Sequence, residues 1–118
     1  MPEPAGHDFT AARSYLSLIL RRKVAKTTAA KLARAHTVSF KAKDILRASE
    51  LPLLPETNPD VKKELARISA GEALSPCLLV RGQLGAGRPA QIADGYHRVC
   101  ASNYVNEDAD IPVRIVSL

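Results

Sequence analysis

Ile92-Ala93-Asp94-Gly95-Tyr96-His97-Arg98-Val99-Cys100-Ala101 is the stretch on which the reading of this chain turns. Ile92 and Ala93 end an apolar strand, Asp94-Gly95 makes a tight turn, and a helix follows. Glycine permits the sharp turn and the close approach of a ligand to the backbone. A helix start carries unpaired N–H groups and a partial positive charge, which together suit an anion. Arg98 adds a planar fork matched to phosphate. His97 adds a second donor or an acid–base group. Asp94 has three possible uses: capping the helix, orienting His97, or holding a cation that bridges phosphates. Four polar groups at one helix start are more than capping requires.

Working outward, Cys77-Leu78-Leu79-Val80 after Pro76 is a short apolar run suited to a buried strand. Gly82, Gly85 and Gly87 punctuate a turn, and residues 90–93 form the partner strand of a hairpin. The helix after Gly95 runs to Tyr104, with Val99 and Cys100 facing inward. Residues 106–110 are an acidic loop without calcium-loop spacing. Residues 111–118 are a last strand, with Pro112 tolerated at its start or on an edge. Upstream, Leu51-Pro52-Leu53-Leu54-Pro55 is too rich in proline for a helix. Asn58-Pro59 predicts a helix start that places Val61, Leu65 and Ile68 on one face and ends at Gly71.

The N-terminal third has another texture. Residues 1–8 read as a loose tail, with Asp8 capping a helix that begins at Phe9. Residues 9–35 put Leu16, Leu20, Val24 and Leu32 on a helical stripe, as one helix or as two broken at Thr27-Thr28. Ser39 is the expected cap of a short helix through Arg47. The expected layout is a flexible tail (1–8), a basic helical extension (9–43) and an α/β domain (44–118) with a small mixed β-sheet and packed helices.

At 118 residues, 46% hydrophobic and 25% charged, the chain suits one domain and is not disordered throughout. Aromatics are 4% and Trp is absent, so Ala, Val, Leu and Ile must build the core. No apolar stretch is long enough for a membrane helix, and residues 1–8 lack the marks of a secretory signal. The expectation is a soluble cytoplasmic protein with no membrane partner. Cys77 and Cys100 are too few for a disulfide framework and read as core residues; no metal-ligand pattern stands out. Charge is unevenly placed: residues 13–47 hold ten Lys or Arg against one acid, a net +9, within a total of +5. Arg21, Arg22, Lys23, Lys26, Lys31 and Arg34 are therefore candidate contacts for DNA or RNA. The competing reading is a merely solvated helical face.

An ordered set of features extends over residues 44–118: Leu53-Leu54-Pro55, the helix at 61–68, Pro76-Cys77-Leu78-Leu79-Val80, Gly95-Tyr96-His97-Arg98, and Ile111-Pro112-Val113. This set resembles the ParB/sulfiredoxin superfamily. The resemblance implies an α/β domain whose G-x-x-R loop, here Asp94, Gly95, Tyr96, His97 and Arg98, binds the phosphates of a nucleoside tri- or diphosphate with Mg²⁺. Sulfiredoxins carry a catalytic Cys where Tyr96 stands, so a reductase is not expected. Chromosome-partitioning ParB proteins bind CTP through a motif that resembles G-E-R-R. They continue into a segment rich in Glu, Asn and Arg and a DNA-reading helix-turn-helix; residues 1–118 contain neither, so a sliding clamp is not expected. The motif is most similar to the D-G-H-H-R of free-serine kinases, where a Glu after a Leu-x-Pro segment serves as base. Glu56 holds a similar place, and Glu56 and His97 are the candidate catalytic residues. The leading expectation is a nucleotide-phosphate-binding domain linked to nucleic-acid binding, with NTP hydrolysis as an open activity. The alternatives are a serine-kinase-like phosphotransferase and a non-enzymatic module that dimerises or binds a protein partner and keeps only a vestigial phosphate site.

Overall fold

The computed structural model describes residues 3–118. In chain order the elements are α1 (Gly6–Leu16), α2 (Arg22–Arg34), β1 (Val38–Lys41), α3 (Ala42–Ser49), α4 (Pro59–Ser69), β2 (Cys77–Val80), a 3-10 turn (Leu84–Ala86), β3 (Gln91–Asp94), α5 (Tyr96–Val105) and β4 (Asp110–Val116). The fold is mixed α/β, with a four-stranded sheet in the order β1-β4-β2-β3. The β2–β4 pair is parallel, and the β1–β4 and β2–β3 pairs are antiparallel.

All four residues of β2 are buried. Side chains alternate across a strand, so a strand buried at every position needs cover on both faces. Cys77 and Leu79 face a core made with α3, α4 and α5, including Ile45, Val61, Val99 and Cys100. Leu78 and Val80 face a second core made with Ala12 and Leu16 of α1 and Ala25 and Leu32 of α2. The sheet lies between two helical layers. Residues 9–43, read from the sequence as an extension, supply one whole layer and the edge strand β1.

Several local expectations are corrected. α1 begins at Gly6, inside the expected tail, and Asp8 is buried in its first turn. Asp8 is not the cap; it reaches back to accept a 3.0 Å hydrogen bond from the Ala5 N–H. The helical break falls between α1 and α2, not at Thr27-Thr28. Both threonine hydroxyls bond inside α2, to the carbonyls of Lys23 and Val24, so neither disrupts it. The buried stripe of α2 is Ala25, Thr28, Ala29 and Leu32, and Val24 is exposed. Ser39 lies in β1 opposite Pro112, because Val38 to Lys41 pair with the first half of β4. β2 joins β4 only from Val113 onward, so the N–H missing at Pro112 is not needed for that pairing.

Asn58 caps α4 as its sequence position implies: its Oδ1 accepts from the N–H groups of Asp60 at 3.0 Å and Val61 at 3.2 Å. Asn58→Ala is expected to lose about 1 kcal/mol of stability, read as a lower urea midpoint, and Asn58→Asp to retain most of it.

Candidate functional site

The turn between β3 and α5 packs tightly. Gly95 has φ +105°, a left-handed conformation that side chains rarely adopt. A Cβ at this position would lie 2.8 Å from Cys77 Sγ and 3.3 Å from Arg98 Cζ. The glycine therefore makes room for atoms of its own chain.

Arg98 is buried. One terminal nitrogen donates to the carbonyls of Ser75 at 3.0 Å and Pro76 at 3.2 Å. The other donates to the carboxylate of Asp94 and lies 3.9 Å from Asp8 of α1. The guanidinium is thus ringed by acceptors of its own chain. Burial pushes Asp94 above the ordinary carboxylate value, Arg98 pulls it down, and the neighbouring Asp8 charge raises it again; the net direction is upward. Burial also opposes the charge on Arg98, but the carboxylates of Asp94 and Asp8 outweigh it and keep the guanidinium protonated. A cavity of about 350 Å³ opens beside this cluster, where the carboxylates of Asp8, Glu64, Glu72 and Asp94 face the guanidinium groups of Arg67 and Arg98. Four acids against two cations make its potential unfavourable to an anion. Among the described residues, no group of three or more His, Cys, Asp or Glu side chains is arranged to hold a metal ion.

The other residues of the motif point elsewhere. The Tyr96 hydroxyl donates to the Pro52 carbonyl, and that of Tyr104 to Leu54 at 2.8 Å, so α5 holds the proline-rich segment in place. His97 is part-exposed, stacks on Tyr96 with ring centroids 5.8 Å apart, and places Nε2 3.7 Å from Asp60 Oδ2. Glu56 is exposed in the turn before α4. Among the described residues, no hydrogen bond or ion pair joins Glu56 to the motif. Cys77 is fully buried and burial pushes its thiol up to about 12, so it is not a thiolate nucleophile.

The basic residues are arranged differently. The buried stripe of α2 turns to the sheet, and Arg22, Lys23, Lys26, Lys31 and Arg34 occupy the exposed side, with Arg21 exposed at the helix start. Among the described residues none of the six is in an ion pair. Lys31 donates to the Ser117 carbonyl at 3.1 Å, which leaves its charge uncompensated. Beside this face, a groove of about 490 Å³ between α1 and α2 is lined by Thr10, Arg13, Ser14, Ser17, Arg22 and Ala25. It offers two guanidinium groups and three hydroxyls, with no carboxylate. The sequence reading missed the α1 wall of this groove. The signal was available: 10, 13, 14 and 17 follow the i, i+3, i+4, i+7 spacing of one helix face.

No family model, curated protein or solved structure matches this chain.

Replacing Arg98 by Met would leave Asp8 and Asp94 facing each other without a counter-charge. Arg98→Met is expected to lose about 3 kcal/mol near neutral pH, measured by urea unfolding. Asp94, whose pKa is raised in the folded state, favours folding below its unfolded value and gives up that contribution as pH rises through its folded value. Without Arg98 this dependence steepens, so the deficit of the variant should shrink on acidification. Gly95→Ala should lose about 2 kcal/mol from its positive φ and the overlap with Cys77. In a Cys77→Ala background Gly95→Ala should cost less by the Sγ overlap only, since the Cβ of residue 77 stays 3.1 Å away.

Proposed function

We propose that this protein binds nucleic acid through its phosphate backbone, using the exposed face of α2 and the adjoining α1–α2 groove. The observation that carries this reading is the set of six exposed cations with no ion-pair partner among the described residues, on a helix fixed to the sheet by its opposite face. A solvated structural face has no need to stay free of acids, and i,i+4 carboxylates would stabilise such a helix. Here α2 carries none. Its 13 residues span about 20 Å, enough to follow several phosphates, and the hydroxyls of Thr10 and Ser14 suit the phosphate oxygens beside them. A nucleotide phosphate at the start of α5 would first have to displace Asp94 and Asp8 from Arg98, so the backbone-binding face is the stronger reading.

The test is fluorescence anisotropy with labelled duplex DNA and RNA across a range of salt. Binding should weaken steeply with salt, and each cation removed should lower the slope of log K against log salt by about one. Arg22→Glu with Lys26→Glu should cut affinity at least about tenfold. Lys62→Glu with Lys63→Glu makes the same change in total charge on the exposed side of α4 and should cut it far less. Equal losses from the two pairs, or no salt-sensitive binding at all, would overturn the proposal.

A further inference from the structure

We infer that the cleft between α3 and the β2–β3 hairpin is a separate binding site for a small apolar molecule bearing one carboxylate. The cleft has a volume of about 390 Å³, within the range of small-molecule sites. Its floor is a cross-strand row: Ile115 of β4 pairs with Leu79 of β2, which pairs with Ile92 of β3. Ile45 of α3 and Phe40 of β1 close the apolar lining. These side chains belong to the face of the sheet opposite α2, so the cleft is independent of the nucleic-acid face.

The walls are preformed. The Ala90 N–H donates to the Ala48 carbonyl at 3.0 Å, tying the end of α3 to the hairpin. Gln83 and Arg88 exchange two backbone hydrogen bonds, at 2.9 and 3.0 Å, which fixes the hairpin tip. A Cβ on Gly82 would lie 2.7 Å from the Ala90 nitrogen and 2.9 Å from the Arg88 oxygen, so this wall closes only around glycine.

Charge on the rim selects the ligand. Arg47 lies 3.5 Å from Asp44, and these two offset each other. Arg81 is exposed and, among the described residues, has no ion-pair partner. One uncompensated guanidinium above an apolar floor matches one carboxylate, held by two parallel hydrogen bonds, on an apolar body. A phosphate dianion would leave a charge unmatched.

The experiment is an amide ¹H–¹⁵N NMR titration of the full chain with naphthoate and, separately, with the neutral naphthalenemethanol. Naphthoate should give saturable shifts at Ala48, Gly82, Ala90 and Ile92. Arg81→Gln, an exposed substitution, should weaken naphthoate by about tenfold and leave the alcohol unchanged. Ala48→Trp, at an exposed position on the cleft wall, should block both. Shifts confined to other parts of the chain, no saturation up to the solubility limit, or an Arg81→Gln effect equal for acid and alcohol would overturn the inference.

Discussion

The structure depends on the buried charge cluster of Arg98, Asp94 and Asp8. A buried guanidinium is tolerated only when its charge and its N–H groups are matched. Asp94 supplies the nearer carboxylate, from four residues earlier in the chain. Asp8 supplies the second, from the far end of the sequence. Turn, sheet and N-terminal layer are thereby coupled: Asp8 brings the first turn of α1 to Arg98, and Arg98 ties the β3–α5 turn to the carbonyls that precede β2. The second buried arginine repeats the device. Arg114 of β4 donates to the carbonyls of Leu32 and Ala33 at the end of α2 and to Thr37, and pairs with Glu3. A helix end carries unpaired carbonyls and a partial negative charge, which is the environment a buried cation needs. Together the two arginines hold both helices of the N-terminal layer by their polar ends, while Leu16, Ala25 and Leu32 hold them by apolar contact.

Two sets of cations in this chain are placed in opposite ways. Arg98 and Arg114 lie in the interior, bonded on several sides by their own chain. The cations of α2 lie outside and meet no acid. The +9 balance of residues 13–47 does not show which of its charges are free: Lys43 and Arg47 pair with Asp108 and Asp44, and the cations of α2 do not. Placement decides it. The segment that anchors the N-terminal layer through Glu3 and Asp8 is acidic, and the helix it helps to position shows its basic side to solvent.

Much of the fold was legible where local chemistry had one solution. β2, the glycine-marked hairpin, the Asn58 cap and α5 each follow from short-range signals. What escaped was set by tertiary partners. β1 is a four-residue strand exposed at every position, with no alternation to announce it; it exists because β4 offers it a ladder. The N-terminal helices looked like an extension because small residues such as Ala12, Ala25 and Ala29 form their buried stripe, and alanine reads equally as helix filler and as core. At the Asp94–Arg98 turn, the sequence left open whether Arg98 meets a ligand or a carboxylate of its own chain. The choice rests on the carbonyls of Ser75 and Pro76 and on Asp8, which reach Arg98 from distant parts of the sequence.

The pairing of Glu3 with Arg114 has a topological consequence. It brings the start of the described chain against the last strand, four residues before Leu118. This contact spans 111 positions of the chain and can close only once β4 has joined β2 in the parallel pair. Contacts of such long sequence separation are slow to form, so the polar lock on the N-terminal layer belongs to the late events of folding.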